Sequence, residues 1–352
     1  MALSLKIQKQ LGDFRLAVQF EAGDETLALL GASGCGKSVT LRCIAGIMTP
    51  DEGKIVLDGV TLYDSAAGIN LPPQRRRVGY LFQQYALFPN MTVRQNIAAV
   101  IRDKSAKEAR TRELLRRFRL EEVAALRPGQ LSGGQQQRTA LARILAAEPR
   151  AILLDEPLSA LDSFLRQQLE LELAETLGSF SGTVLWVSHD RGEAFRNCRR
   201  VCVLDDGRSQ EVCTLEELFR SPDTEAAARL SGCENFLDVL PAGETVSVPA
   251  WGVTLACRRP VPAELRRIGI RARHVLPAEA GAENALPCRV LRVVEDVFST
   301  VVLLELQGAA SGAPSLRMEL DRTARKSPVG AYLTVSVQPE HILFLREPQQ
   351  EE

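Results

Sequence analysis

The stretch Gly31-Ala32-Ser33-Gly34-Cys35-Gly36-Lys37-Ser38 is a run of small residues closed by a lysine and a hydroxyl. Its spacing, Gly-x4-Gly-Lys-Ser, suits the cradling of nucleotide phosphates. Glycines let successive backbone N–H groups face one concavity, and a helix start behind them adds positive potential. Lys37 can then bridge the β- and γ-phosphates while the Ser38 hydroxyl ligates Mg2+. Four fixed positions of this kind coincide by chance in about one chain in a hundred of this length. The apolar run before it and the helical sequence after it lower that further. Gly31, Ser33, Gly34, Cys35, Gly36, Lys37, Ser38 and Val39 are therefore the candidate nucleotide-binding residues. Cys35 stands where a helix start and Lys37 would lower its thiol pKa, or it simply fills space.

"AILLDEP" adds two adjacent carboxylates at the end of a buried apolar strand, a costly place unless a cation or a reaction occupies it. Asp155 is the candidate holder of Mg2+, and Glu156 the candidate general base for an attacking water. "LSGGQQQR" contributes a second anion site that lacks a lysine. In it Ser132 is an N-cap, and Gly133 and Gly134 leave backbone N–H groups bare at a helix start. His189, one of three histidines, follows the apolar segment 183–187.

The elements that must carry these groups can be read from hydrophobic period. Phe14, Leu16, Val18 and Phe20 alternate with polar residues, as in a half-buried, antiparallel strand. "ETLALLG", "RAILLDEP" and "TVLWVSHD" are short apolar runs that predict strands buried on both faces, each followed by helical sequence. Residues 37–47 and 105–120 predict helices, and "RVCVLDDGRSQEVC" predicts a hairpin. Thr214 and Glu217 have capping-box spacing for the helix after them. Strands alternating with helices give an α/β core with a largely parallel sheet. Beyond about Ser231, Pro, Gly and short Val-rich alternations take over, and Glu234-Asn235-Phe236-Leu237 recurs as Glu283-Asn284-Ala285-Leu286. "RARHVL" (271–276) has an echo in "QPEHIL" (338–343), so this region predicts two related β halves forming a small barrel.

Bulk properties bound the function. The chain has 352 residues, enough for two domains, with 45% hydrophobic and 25% charged residues. Lys plus Arg total 43 against 44 Asp plus Glu, so no net field draws nucleic acid or anionic lipid. The run Arg75-Arg76-Arg77 fits a helix-end cluster or a solvated loop better than a nucleic-acid patch. Eight scattered cysteines without a CxxC pair predict reduced, packed thiols rather than a zinc site. Met1 leads into strand-like sequence without a leader pattern, and no apolar run reaches bilayer length, which predicts a cytosolic chain.

With these motifs in order, "YLFQQYALFPNMTV", "LSGGQ", "LLDEP", "SALD" and "VSHD" after the phosphate loop, the sequence resembles the ATP-binding subunits of ABC transporters through most of residues 1–232. The resemblance implies a P-loop ATPase core (1–232), with an antiparallel β subdomain and a helical subdomain at about 84–134, followed by an all-β, OB-like accessory barrel (233–352). It implies ATP and Mg2+ as cofactors. Gln83 would touch Mg2+ and sense the γ-phosphate, which His189 would also hydrogen-bond. Ser132, Gly133, Gly134 and Gln135 would close over ATP held by a second subunit in a head-to-tail homodimer, with Ser159–Asp162 across the seam. The family stacks adenine on an aromatic residue just before the first turn. Here Leu11 precedes Gly12, so Phe14 is the candidate, with core packing as its alternative.

The barrel resembles the TOBE/MOP-like domain of importer subunits, and the stretch from Asp64 to Val93 is most similar to the molybdate and sulfate branch. This implies an integral membrane permease as partner, reached by the apolar stretch Tyr85–Pro89. It also implies a solute-binding protein acting indirectly, no nucleic acid, and a place on the cytoplasmic face of the membrane. Iron(III), polyamine or sugar import is the neighbouring alternative; a DNA-associated ABC ATPase or an oxyanion-sensing regulator is the alternative of another class. The molybdate-binding version of the barrel has a lysine near its last strand and a Ser-Ala-Arg-Asn start. This chain has Gln338 and Gly281-Ala282-Glu283-Asn284 there, which speaks against a regulatory oxyanion in the barrel.

Overall fold

A computed structural model describes residues 2–159, 163–322 and 327–346 and divides the chain into two compact units, Met1–Leu215 and Glu216–Glu352. Ala160, Leu161 and Asp162, part of the expected dimer seam, lie outside the described residues. No helix among the described residues is long and apolar enough to cross a membrane.

The first unit is an α/β fold built on a sheet with parallel and antiparallel parts. Apolar runs without alternation become its interior. Strands Thr26–Leu30, Ala151–Asp155 and Thr183–Val187 are buried almost throughout, as side chains covered on both faces must be. They run parallel in the order Val78–Leu81, Ala151–Asp155, Thr183–Val187, Thr26–Leu30, Arg200–Asp205. The register sets Leu154 beside both Leu81 and Trp186, so these strands finish at one edge. The alternating segment Phe14–Ala22 is antiparallel to Leu3–Leu11, which continues to Glu52–Leu57 and Val60–Asp64. Helices Val93–Ala98, Lys107–Arg117 and Gly133–Ala146 pack on one another.

The predicted hairpin is present between Arg200–Asp205 and Arg208–Ser209, and helix Leu215–Arg220 begins directly after Thr214. Arg76, from the basic run, is 1% exposed and donates to the Cys43 and Ile44 carbonyls at 2.7 and 2.9 Å. It thereby satisfies carbonyls at the C-terminus of helix Lys37–Ala45, where a cation is favoured by the helix dipole. Within the basic run Arg76 is the helix-end residue, while Arg77 donates to the Glu148 carbonyl at 3.2 Å.

The second unit is a small barrel-like β structure around a core that includes Trp251, Val246, Leu286, Val302 and Val335. Its internal repeat has a physical basis. Asn235 donates to the Ile270 and Arg317 carbonyls, both at 3.0 Å, and accepts from Arg317 N–H at 2.7 Å. Asn284 donates to the Ala256 and Val337 carbonyls, both at 3.0 Å, and accepts from Ala256 N–H at 2.7 Å. Ile270 and Val337 each end a strand that leads into a 3-10 turn, Ala272–His274 and Pro339–His341. The two turn histidines stack, with ring centroids 3.8 Å apart. Burial, the neighbouring His341 ring and Arg273 lower the His274 pKa to about 4.

Because each asparagine satisfies main-chain groups from two strands, Asn235→Ala and Asn284→Ala should each destabilise this unit by about 1–3 kcal/mol. Urea unfolding measures it; a loss below about 0.5 kcal/mol for either variant would deny the shared role.

Candidate functional site

The phosphate loop joins strand Thr26–Leu30 to helix Lys37–Ala45, whose N-cap Gly36 offers no side-chain cap. The first N–H groups of a helix have no intrahelical acceptor, so this end is open to an anion. Glycine is demanded at two places. Gly36 has φ +105, and a Cβ there would lie 2.4 Å from Leu16 Cδ1. A Cβ on Gly31 would lie 2.2 Å from the Leu204 carbonyl oxygen. Ser33 and Gly34 are exposed, while Val39 packs on the core. Lys37 is 6% exposed, and its ammonium donates to the Gly31 and Ala32 carbonyls, both at 2.8 Å. These bonds keep the charge satisfied inside the loop that would receive phosphate oxygens.

Cys35 corrects an expectation. Lys37 does pull its thiol pKa down, but burial is the larger effect and the pKa is raised. Cys35 is a space-filling residue, 5% exposed, and not an activated thiolate.

Asp155 ends its strand 7% exposed, with both oxygens engaged. Oδ1 accepts from Ser38 Oγ at 2.8 Å, and Oδ2 accepts from the Tyr80 hydroxyl at 2.7 Å. A serine hydroxyl and a carboxylate at this separation are hard oxygen donors of the kind Mg2+ takes, so the residues present fit that cation. Glu156 follows with φ +50, a left-handed conformation uncommon outside glycine, and its N–H donates to the Val187 carbonyl at 3.0 Å. Strained backbone of this kind persists where surrounding contacts hold it. Glu156 Oε1 stands 3.5 Å from His189 Nδ1.

The loop bearing His189 is pinned by neighbours on both sides. Asp190 caps helix Arg191–Asn197, accepting from Gly192 N–H at 2.7 Å, and the Ser188 hydroxyl donates to Glu193 at 2.8 Å. Burial raises the pKa of Glu193.

Gln83 Nε2 donates to Ser159 Oγ at 3.3 Å, and Ser159 Oγ donates to the Glu156 carbonyl at 3.0 Å. Lys37, Ser38, Asp155, Glu156, His189 and Gln83 are thus gathered at the finishing edge of the parallel strands. Phe14 is partly buried against the main core, with its ring beside Gly207 and beside Gly36 of the phosphate loop. Tyr85 departs from the exposed apolar stretch expected at 85–89: it is 6% exposed, with φ +57, while Phe88 is 43% exposed. Arg143 donates to the Tyr85 and Ala86 carbonyls at 3.1 and 2.8 Å and lies over the Phe88 ring.

Ser132 forms the expected N-cap of helix Gly133–Ala146. Its Oγ accepts from Gln135 N–H at 3.3 Å, and Gln135 Oε1 accepts from Ser132 N–H at 2.9 Å. Among the described residues no hydrogen bond or ion pair joins Ser132, Gly133, Gly134 or Gln135 to the phosphate loop. Tyr80, Arg76 and Glu193 take parts that their sequence motifs did not disclose: Tyr80 and Arg76 act on groups distant in sequence, and Glu193 is buried against the Ser188 hydroxyl.

A glycine-walled helix start laid against the carboxylates of a parallel strand defines a P-loop nucleoside triphosphatase. Residues 15–159 match the family model described as ABC transporter. The spermidine/putrescine import ATP-binding protein PotA of Methylococcus capsulatus is 38% identical over 94% of this chain and 86% of its own length. The Fe(3+) ions import ATP-binding protein FbpC of Streptomyces coelicolor is 38% identical over 92% and 90%. The sulfate/thiosulfate import ATP-binding protein CysA 2 of Chromobacterium violaceum is 41% identical over 83% and 78%. Among solved structures, the bacterial ABC transporter cassette MJ0796, a dimer in a post-hydrolysis state bound to ADP and Pi, matches with 30% identity and a TM-score of 0.52. That match covers 61% of this chain and 99% of the cassette. The chain belongs to the ABC transporter family, as an ATP-binding subunit of import systems, and it is an ATPase.

Proposed function

We propose that two copies of this chain work head to tail as the engine of an oxyanion importer, with molybdate or sulfate as the cargo. The observation that carries the site assignment is the Asp155–Glu156 pair at a buried strand end, bonded to Ser38 on one side and facing His189 on the other. Lys37 and the bare N–H groups behind Gly36 hold the phosphates of ATP, and Ser38, Asp155 and Gln83 hold Mg2+, which neutralises phosphate charge when bound. Glu156 takes the proton of the attacking water, and His189 orients the γ-phosphate.

Ser132, Gly133, Gly134 and Gln135 act on ATP held by the other copy. The lack, among the described residues, of any hydrogen bond or ion pair from them to the phosphate loop of the same chain supports this, as does the dimeric form of the matched cassette. The barrel is read as a TOBE/MOP-like accessory domain. The chain sits on the cytoplasmic face of the membrane by docking on a permease through the surface around Phe88. The sulfate relative supports oxyanion cargo; the polyamine and iron(III) relatives keep those cargoes as the second reading.

Glu156→Gln should retain ATP binding, lower turnover by roughly 100-fold or more, and accumulate as an ATP-bound dimer on size-exclusion chromatography. Undiminished turnover would remove Glu156 from its role. Cargo is read by uptake in cells lacking the chain: molybdate or sulfate entry should fail while polyamine and iron(III) entry persist. The opposite pattern transfers the assignment to the second reading.

A further inference from the structure

The carboxylate of Asp155 is held twice, by Ser38 on Oδ1 and by Tyr80 on Oδ2. Tyr80 reaches it because strand Val78–Leu81 runs parallel to Ala151–Asp155 with Tyr80 beside Leu153. Leu153 and Asp155, two residues apart on a strand, share a face. The Tyr80 ring is fixed by a stack on Phe82, with centroids 4.2 Å apart and planes 30° apart. Arg42 stands one turn beyond Ser38 on helix Lys37–Ala45, and its charge acts on the Tyr80 hydroxyl against the larger effect of burial. Ser38, Asp155 and Tyr80 form a chain of hydrogen bonds that runs from the helix behind the phosphate loop to strand Val78–Leu81.

We propose that Tyr80 is a positioning residue for the divalent cation: by occupying Oδ2 it sets the rotation of the Asp155 carboxylate and turns Oδ1 toward Ser38 and the cation seated there. The inference rests on the reading of Ser38 and Asp155 as the oxygen ligands. The terminal torsion of an aspartate is broad and roughly two-fold, so an unheld carboxylate presents either oxygen. A phenol bonded to one of them removes that freedom before the cation arrives. Groups that orient metal ligands contribute roughly 10–100-fold in metal affinity. A ring needed only for packing beside Phe82 would require no hydroxyl, and that difference is testable.

Tyr80→Phe keeps the ring and its stack. In the full chain with a non-hydrolysable ATP analogue bound, Mn2+ titration followed by electron paramagnetic resonance should show affinity weakened by roughly 10-fold. Affinity for the analogue in EDTA should remain that of the unmodified chain. Unchanged Mn2+ affinity overturns the positioning role, and so does an equal loss of analogue affinity in EDTA, which marks general loosening. Asp155→Asn distinguishes the two levels of the argument: if it leaves Mn2+ binding intact, the ligand reading itself fails. Should Tyr80→Phe not fold, fluorotyrosine at position 80 supplies the answer with the hydroxyl in place. Its fluorine resonance moves when Mg2+ joins the analogue complex, and a resonance indifferent to Mg2+ overturns the inference.

Discussion

The register of the parallel strands is the constraint on which the rest of the first unit depends. Leu81, Leu154 and Trp186 lie side by side, and Thr26–Leu30 runs beside Thr183–Val187 in the same direction. The residues that follow these strands therefore emerge together: the phosphate loop after Leu30, Gln83 after Leu81, Glu156 after Asp155 and His189 after Val187. Ligands of open α/β sheets bind at the carboxyl ends of the strands for this reason. A shift of one residue in any strand would turn its core side chains to the opposite face. The apolar packing of Ile152, Leu153, Leu154, Leu185 and Trp186, all fully buried, thus also fixes the alignment of the chemistry.

Electrostatic cost is concentrated at the same edge. Lys37 and Asp155 are both buried, and in this structure each is held by dipoles rather than by an opposite charge: carbonyls for the ammonium, hydroxyls for the carboxylate. Hydrogen bonds to an ionised group are roughly twice as strong as those between neutral groups. They also leave each charge ready for the stronger partner that a phosphate or a cation supplies. The left-handed backbone of Glu156 adds strain beside them, held by the Val187 carbonyl. Such sites give up stability in exchange for preorganisation.

How much of this was legible in the sequence follows from locality. The phosphate loop, the Ser132 cap and the Asp155–Glu156 pair are short motifs in which neighbouring residues do the work, so spacing alone exposes them. The buried strands could be read because double-sided burial demands uninterrupted apolar residues. The repeated Glu-Asn pairs were visible because Asn235 and Asn284 perform the same main-chain bonding in two places. Tyr80 was not legible, since its partner Asp155 is brought to it only by strand pairing. Arg76 stood in a run read as a helix-end cluster or a solvated loop, and only its burial singles it out as the arginine that caps helix Lys37–Ala45. Cys35 misled because proximity to Lys37 is visible in sequence whereas depth of burial is not.

Within one chain no hydrogen bond or ion pair among the described residues joins the Ser132 cap to the phosphate loop, and the proposed clamp exists only when two copies meet. The direct test is turnover per chain measured across protein concentration at saturating ATP. The account predicts that specific activity climbs with concentration and levels off once dimers dominate. A specific activity that stays constant down to the most dilute protein, where only single chains sediment, would place the complete site within one copy and contradict it.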